Sequence, residues 1–301
     1  MIERYINFLG MDETIKLLEA NERPLTPSIR VNTLKIGVHE LKKRLENKGF
    51  NLEPIEWVPY GFKVLNEPLN LGSLHENLQG YFYLQNIASM LPPIILEPKS
   101  NETVIDMCAA PGGKATHLAQ IMNNKGNLIL IERNQKRIPA LEINLRRMGI
   151  KNSIVLNLDA TNISSLNIKA DKILLDAPCT GEGLIREDKS RKRSKKLKDI
   201  NKMASIQKNL LEAGLNSLKM GGRLLYSTCS TAPEENEFVI NEVLNKNSQF
   251  LIIKIKNQFG VHGFTEIFGK TFFKKLELSQ RFFPHIHNTI GFFVCLIERM
   301  S

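Results

Sequence analysis

From Val104 to Cys229 the chain alternates short apolar, strand-like runs with helix-patterned segments, and no other feature limits the fold as much. The runs are TVIDM ending at Met107, NLILIE ending at Glu132, SIVLNLD ending at Asp159, DKILLD ending at Asp176 and GRLLYSTC ending at Cys229. Repeated alternation of this kind predicts a parallel sheet with helices on both faces. In such sheets ligands sit beyond the carboxyl ends of the strands. Nearly every run ends in an acid or a cysteine, so the candidate chemistry gathers on one rim. FLIIKI and TIGFFVCLIER near the end predict a closing antiparallel pair.

The first 75 residues have a different texture. SIRVNTL, the amphipathic basic stretch VHELKKRLENKG and short strand-like pieces around Ile55 and Val64 predict a small α+β domain over 1–75, ahead of an α/β domain over 76–301. LHENLQGYFYLQNIASMLPPIILEPKS would join the two, and there is no internal repeat. No apolar run approaches the roughly 18 residues of a membrane span, and MIERYINFLGMDETIKLLEA carries charges every few residues. No membrane partner and a cytoplasmic location are expected. Cys108, Cys179, Cys229 and Cys295 lie far apart with no CxxC pair, which predicts free thiols and no metal site. A formal charge of +10 favours a polyanionic partner, because bound cations displace condensed counterions, although many basic proteins bind no nucleic acid.

VIDMCAAPGGKATHLAQIM runs from strand through a small-residue loop into a helix, which lets a ligand approach the backbone at Gly112 and Gly113. The loop lacks GxGxxG, and a phosphate-binding P-loop would need Gly in place of Cys108 and Ser or Thr in place of Ala115. A nucleoside ligand without a pyrophosphate remains, and S-adenosylmethionine fits. Glu132 can accept both ribose hydroxyls, Asp159 can accept from the adenine amino group, and acids tolerate the positive charge. Acids at strand ends also cap helices, so each taken alone has a bland reading.

LLDAPCTGEG offers Asp176 and Cys179 at one strand end, and LLYSTCST offers Cys229 at the next. A cysteine near a strand end is more often a small buried hydrophobe than a nucleophile. Cys295 inside FFVCLIE fits that reading, and Cys108 is expected to pack behind the cofactor loop. Pro178 and the flanking Ser and Thr residues set Cys179 and Cys229 apart, in exposed loops beside the ligand rim.

Together DMCAAPGGKATHLAQ, DAPCTGEG, LLYSTCSTAPEENE, the upstream GYFYLQNIASML and the closing RFFPHIHNTIGFFVCLI resemble the Sun/Fmu family of RNA cytosine-C5 methyltransferases over essentially the whole chain. The resemblance implies a Rossmann-like, S-adenosylmethionine-dependent methyltransferase fold. It assigns Cys229 as nucleophile and Cys179 to product release. Cofactor contacts carry over to Cys108, Ala109, Ala110, Pro111, Gly112, Gly113, Lys114, Glu132, Arg137, Asp159 and Asp176, with Lys114 a candidate for the target nucleotide too. The chemistry demands such groups. Carbon 5 of cytosine is a poor nucleophile until a thiolate adds to carbon 6, and a base must later remove the carbon 5 proton so that the thiol can leave. Asp176 is suited to the N3 and N4 edge, where extruded bases are read. DNA cytosine methyltransferases use the cysteine of a Pro-Cys motif, which here is Cys179, so the opposite order stays open.

For RNA contact the sequence offers KSRKRSKKLK, with Lys189, Arg191, Lys192, Arg193, Lys195 and Lys196, seven basic residues in ten. Such a run is usually a solvated surface. Its place after the Cys179 loop favours a clamp on RNA phosphates. Arg30 and Asn32 in SIRVNTLK resemble the family's recognition module, while Trp57 and Tyr60 are candidates either for base stacking or for core. The chain ends directly after the catalytic segment, which favours tRNA over rRNA as substrate. Two other readings stand beside this one: a methyltransferase for another acceptor, which would not need two cysteines, and a catalytically silent RNA-binding factor.

Overall fold

The structure, a computed structural model, describes residues 1–194 and 196–300. It has two compact units: the first comprises residues 26–160 and 170–174, and the second residues 1–25, 161–169 and 175 onward. The chain begins in the second unit with helices α1 (Ile2–Leu9) and α2 (Met11–Glu22).

The first unit starts with β1 (Ser28–Val31), α3 (Val38–Glu46), β2 (Leu52–Ile55), β3 (Val58–Val64), the single turn α4 (His75–Leu78) and β4 (Phe82–Leu84). These strands form an antiparallel sheet in the order β2-β3-β1-β4, with Ile29 opposite Phe62 on one side and Leu84 on the other. The sheet thus takes its fourth strand from beyond residue 75. Helix α3 forms because its apolar positions recur at helical spacing. Leu41 and Leu45, one turn apart, are fully buried in a cluster with Ile29, Val31, Phe62 and Phe82. Burying each leucine contributes about 2 kcal/mol. Glu40 in the first turn and Lys43 and Arg44 in the last complement the helix dipole.

After α5 (Ile87–Leu96) come β5 (Thr103–Asp106), α6 (Gly113–Ile121), β6 (Asn127–Ile131), α7 (Ile138–Met148) and β7 (Ser153–Leu156). Strand β5 lies parallel between β6 and the next strand, β8 (Ala170–Asp176), and β6 in turn pairs with β7. The continuous apolar character of VID and LILI follows from this placement, since strands of a parallel sheet are covered on both faces. Asp106 closes β5, Glu132 follows β6 directly, and Asp159 comes three residues after β7.

Strand β8 carries the chain from one unit to the other: Ala170–Leu174 belong to the first, and Leu175 and Asp176 to the second. The second unit continues with α8 (Arg191–Ser194), α9 (Leu197–Asn216), β9 (Leu218–Thr228), α10 (Glu237–Leu244), β10 (Phe250–Ile252), β11 (Val261–His262), the small hairpin β12 (Glu266–Ile267) and β13 (Lys270–Thr271), β14 (Gln280–Phe282), α11 (Pro284–His287) and β15 (Phe292–Arg299). The Ala177 N–H donates to the Ser227 carbonyl at 2.8 Å, which aligns the exit of β8 with the end of β9. Strand β15 runs antiparallel to β9, β14 and β10. The expected closing pair is present, with Phe250 opposite Arg299, and Cys295 is fully buried in β15. No helix among the described residues is long and apolar enough to cross a membrane.

Leu41→Ala should lower the stability of the first unit by about 3 kcal/mol, the sum of lost burial and an unfilled cavity. Denaturant titration followed by fluorescence of Trp57, the only tryptophan of the chain and a neighbour of the Ile55, Val58, Ile87 and Met90 cluster, would check this. A loss below about 0.5 kcal/mol, the size of an ordinary surface substitution, would contradict the packing described.

Candidate active site

In the first unit, the loop from Asp106 to Lys114 is fixed through its carbonyls. The Ala110 carbonyl accepts from Arg137 at 2.5 Å, that of Pro111 from Asn144 at 2.9 Å, that of Gly112 from the Thr116 hydroxyl at 2.7 Å and that of Gly113 from Arg30 at 2.7 Å. Asp106 is buried and accepts from the Cys108 N–H at 3.2 Å, and the Ala109 N–H donates to Ile131 at 2.9 Å. Gly112 adopts φ +109°, a left-handed conformation, and a Cβ there would stand 3.1 Å from Leu141. A side chain is therefore disfavoured twice at the point where the loop enters α6. Glu132 accepts from the Asn134 N–H at 2.7 Å and pairs with Arg137 at 3.4 Å, and Asp159 pairs with Arg133 at 3.4 Å. A rigid small-residue loop flanked by Asp106, Glu132 and Asp159 matches a ligand with hydroxyl and amino donors and a positive centre, as expected for S-adenosylmethionine.

In the second unit, the loops after β8 and β9 bring Cys179 and Cys229 together, with their sulfurs 3.2 Å apart. Both residues are half-buried. Asp176, at the end of β8, accepts from the Ser227 hydroxyl at 2.9 Å. The hydrogen bond with Cys229 and burial push the Cys179 thiol well above the usual thiol range, with further contributions from the charges of Cys229 and Glu235.

The two loops are tied by residues that stand out less in the sequence than the cysteines. Glu235 is fully buried. One of its carboxylate oxygens accepts from the Thr180 N–H at 2.8 Å and the Gln207 side chain at 3.2 Å, and the other from the hydroxyls of Thr180 at 2.6 Å and Ser230 at 2.5 Å. The Gly183 N–H donates to the Cys229 carbonyl at 3.0 Å, and the Gly183 carbonyl accepts from Gly291 at 2.9 Å. A Cβ on Gly183 would fall 2.1 Å from the Gly291 oxygen, so only glycine permits this approach. Arg4 of α1 donates to Glu182 at 3.0 Å and Glu234 at 2.8 Å, bracing both loops from a third element. The signals for these residues were weak ones: an acid pair after a proline in TAPEENE, and a glutamine interrupting the apolar stripe of α9.

The expected RNA contacts divide into two groups. Arg30 and Asn32 are not surface ligands in this structure. Arg30 is fully buried and donates to Gln85 at 2.8 Å, Gly113 at 2.7 Å and Thr116 at 2.8 Å, so it supports the loop and α6. Asn32, also buried, donates at 2.8 Å to Gly80 and to Met148. Trp57 and Tyr60 pack against the cluster of Ile55, Val58, Ile87 and Met90, and the Tyr60 hydroxyl meets His117 at 2.8 Å. The basic segment, by contrast, is at the surface. Arg191 donates to the Thr180 carbonyl at 2.9 Å, which links α8 to the residue after Cys179. Lys189 and Lys192 both pair with Glu22, Arg193 and Lys196 are exposed, and Lys195 lies outside the described residues.

A family model described as 16S rRNA methyltransferase RsmB/F matches residues 93–298, and one described as the N-terminal domain of 16S rRNA methyltransferase RsmF matches residues 1–87. The chain is similar to the 25S rRNA (cytosine-C(5))-methyltransferase nop2 of Schizosaccharomyces pombe, with 38% identity over 307 residues that cover 100% of this chain and 50% of that protein. It spans half or less of the length of that relative and of its mouse and human counterparts. Among solved structures, it is similar to a methyltransferase homolog protein from Pyrococcus horikoshii, with a TM-score of 0.91 and 41% identity, covering 99% of this chain and 94% of the other. It is also similar to NSun6 from Pyrococcus horikoshii with SFG, with a TM-score of 0.88 and 28% identity, covering 100% and 97%. The RsmB/F family model covers more than half of the chain, and the chain belongs to the RsmB/F methyltransferase family.

Proposed function

We propose that this chain is an S-adenosylmethionine-dependent RNA cytosine-C5 methyltransferase in which Cys229 is the nucleophile. The observation that carries the reading is the pair of sulfurs 3.2 Å apart, with Asp176 on the same set of loops. A methyltransferase for an acceptor that needs no covalent activation gains nothing from two cysteines in contact. The loop from Cys108 to Lys114, with Glu132, Arg137, Asp159 and Asp176, would hold the cofactor, which supplies an electrophilic methyl group.

The two thiols differ in a way that orders the steps. Cys179, whose thiol is pushed up by its contact with Cys229 and by burial, keeps its proton during the attack, and the thiolate that attacks is that of Cys229. Cys229 adds to carbon 6, its electron pair forming the S–C bond while the ring electrons shift to carbon 5, which becomes the nucleophile for the methyl group. Asp176 accepts from the exocyclic amino group, and Lys114 lies on the cofactor loop as a further contact to the nucleotide. Once Cys229 is bonded to carbon it is neutral and no longer accepts from Cys179, so two of the causes that hold the Cys179 proton disappear. Cys179 then releases its proton to solvent, takes the proton from carbon 5, and the S–C bond breaks to restore the ring double bond and the Cys229 thiolate. One proton is released per methyl group, as the stoichiometry requires.

The relatives carry rRNA in their names, which favours rRNA over the tRNA expected from sequence. The basic segment from Lys189 to Lys198 clamps the RNA backbone, with Arg191 holding it to the Cys179 loop. Free thiols at all four cysteines fit the reducing cytoplasm.

With RNA containing 5-fluorocytidine or the natural base, Cys179→Ala should accumulate a covalent protein–RNA adduct and Cys229→Ala should form none, as read on denaturing gels. An adduct on Cys229→Ala would reverse the roles. Nucleoside analysis of rRNA and tRNA after incubation with labelled methyl donor should show 5-methylcytidine in rRNA, and methylated adenine alone would contradict the reading. Replacing Arg193, Lys196 and Lys198 by Gln should weaken RNA binding at low salt and flatten the dependence of log K on log salt by about 0.7 for each phosphate that is no longer neutralised. An unchanged slope would remove the segment from the RNA surface.

A further inference from the structure

We infer that Glu235 is a positioning residue for the methylation reaction: its buried carboxylate ties the Cys179 loop to the Cys229 loop and so sets the approach of the two sulfurs. The inference rests on the reading of Cys229 and Cys179 as the reacting pair. It is carried by geometry within the second unit. A fully buried carboxylate is costly unless its lone pairs are filled. Here four donors fill them, and they come from three segments: Thr180, next to Cys179; Ser230, next to Cys229; and Gln207 of α9. Gln207 also donates to the Pro178 carbonyl at 2.9 Å, so the Cys179 loop is held on both sides of the cysteine. The Tyr226 hydroxyl donates to the Glu235 carbonyl at 2.5 Å and fixes the backbone that bears the carboxylate.

No apolar residue can replace this arrangement, because all four donors would lose their acceptor in a buried space. Nor is the acid placed to touch substrate, since its oxygens are occupied by protein donors. Its action is through the cysteines. The charge of Glu235 also contributes to holding the proton on Cys179, which gives the inference a second, independent readout.

Two substitutions separate the tie from the charge. Glu235→Gln preserves shape, because the amide oxygen can accept from the Thr180 N–H and Gln207 while the amide nitrogen donates to the Thr180 and Ser230 hydroxyls, which rotate to accept. This variant should form the covalent adduct, and the pH dependence of product release should move to lower pH. Glu235→Ala removes both functions and should lower kcat by about a hundredfold, the cost of a displacement near 1 Å in a reacting pair, with KM for the methyl donor unchanged. Thr180→Val combined with Ser230→Ala keeps the acid but removes its hydroxyl donors. It should reproduce the loss of kcat without the pH shift, and it serves as the test should Glu235→Ala fail to fold by circular dichroism. Wild-type kcat in a folded Glu235→Ala protein, or in the Thr180→Val, Ser230→Ala double variant, would overturn the tie. A Glu235→Gln pH profile coincident with wild type would overturn the electrostatic part. If the wild-type protein itself forms neither adduct nor 5-methylcytidine, the failure lies in the proposed reaction and not in Glu235.

Discussion

Two sulfur atoms held 3.2 Å apart cannot both be thiolates, since like charges at that distance in a half-buried site repel strongly, and two neutral thiols would attack nothing. When one of them attacks, the other must therefore keep its proton while the two stay in contact. Much of the second unit serves to hold that arrangement. Glu235 joins the loops by hydrogen bonds, Gly183 and Gly291 join them by backbone contact that excludes a side chain, and Arg4 joins them by charge. These ties act by different forces.

The first unit solves a separate problem with the same economy of means. A loop that lets a ligand reach its backbone cannot be stiffened by bulky side chains of its own, so the stiffness comes from elsewhere. Four successive carbonyls, from Ala110 to Gly113, are each taken by a side-chain donor from outside the loop, and Arg30 reaches it from the small antiparallel sheet. The buried position of Arg30 follows from this duty. A guanidinium offers five donors in a fixed fork, and few other side chains could satisfy Gln85, Gly113 and Thr116 from one site.

The parts of the molecule that were legible in sequence are those set by periodicity. Apolar runs of β spacing in the parallel strands, Leu41 and Leu45 one turn apart in α3, and the closing strand around Cys295 all bury a repeated face, and a repeated face leaves a pattern. Glu132, directly after β6, and Asp176, the last residue of β8, were legible as strand ends because each closes an apolar run. What escaped was buried polar structure. Arg30 and Asn32 carry side chains that usually seek solvent or phosphate, and only the carbonyls contributed by segments distant in sequence make burial favourable for them. Glu235 and Gln207 are of the same kind, since their partners include loops separated by tens of residues. No local pattern encodes that. The fourth strand of the small sheet, Phe82–Leu84, is too short to announce itself and is fixed by its partner β1.

The proposed order of the two cysteines sets this reading apart from an attack by a Pro-Cys thiol. Cys179 is the Pro-Cys residue here, and in the isolated chemistry of a thiol either sulfur could lead. The surroundings discriminate between them. Thr180, adjacent to Cys179, binds Glu235 through both its N–H and its hydroxyl, while Ser230, adjacent to Cys229, binds it through its hydroxyl alone. The Cys179 thiol is pushed up first by its hydrogen bond with Cys229 and by burial, then by the charges of Cys229 and Glu235, and is the better place to keep a proton. On the proposed reading the attack is then left to Cys229. On the same reading, two of the causes that hold the Cys179 proton disappear once Cys229 has become a neutral thioether, which is when a base is needed. The proposed division of labour thus rests on the different surroundings of two chemically identical side chains, with Glu235 one contribution among several.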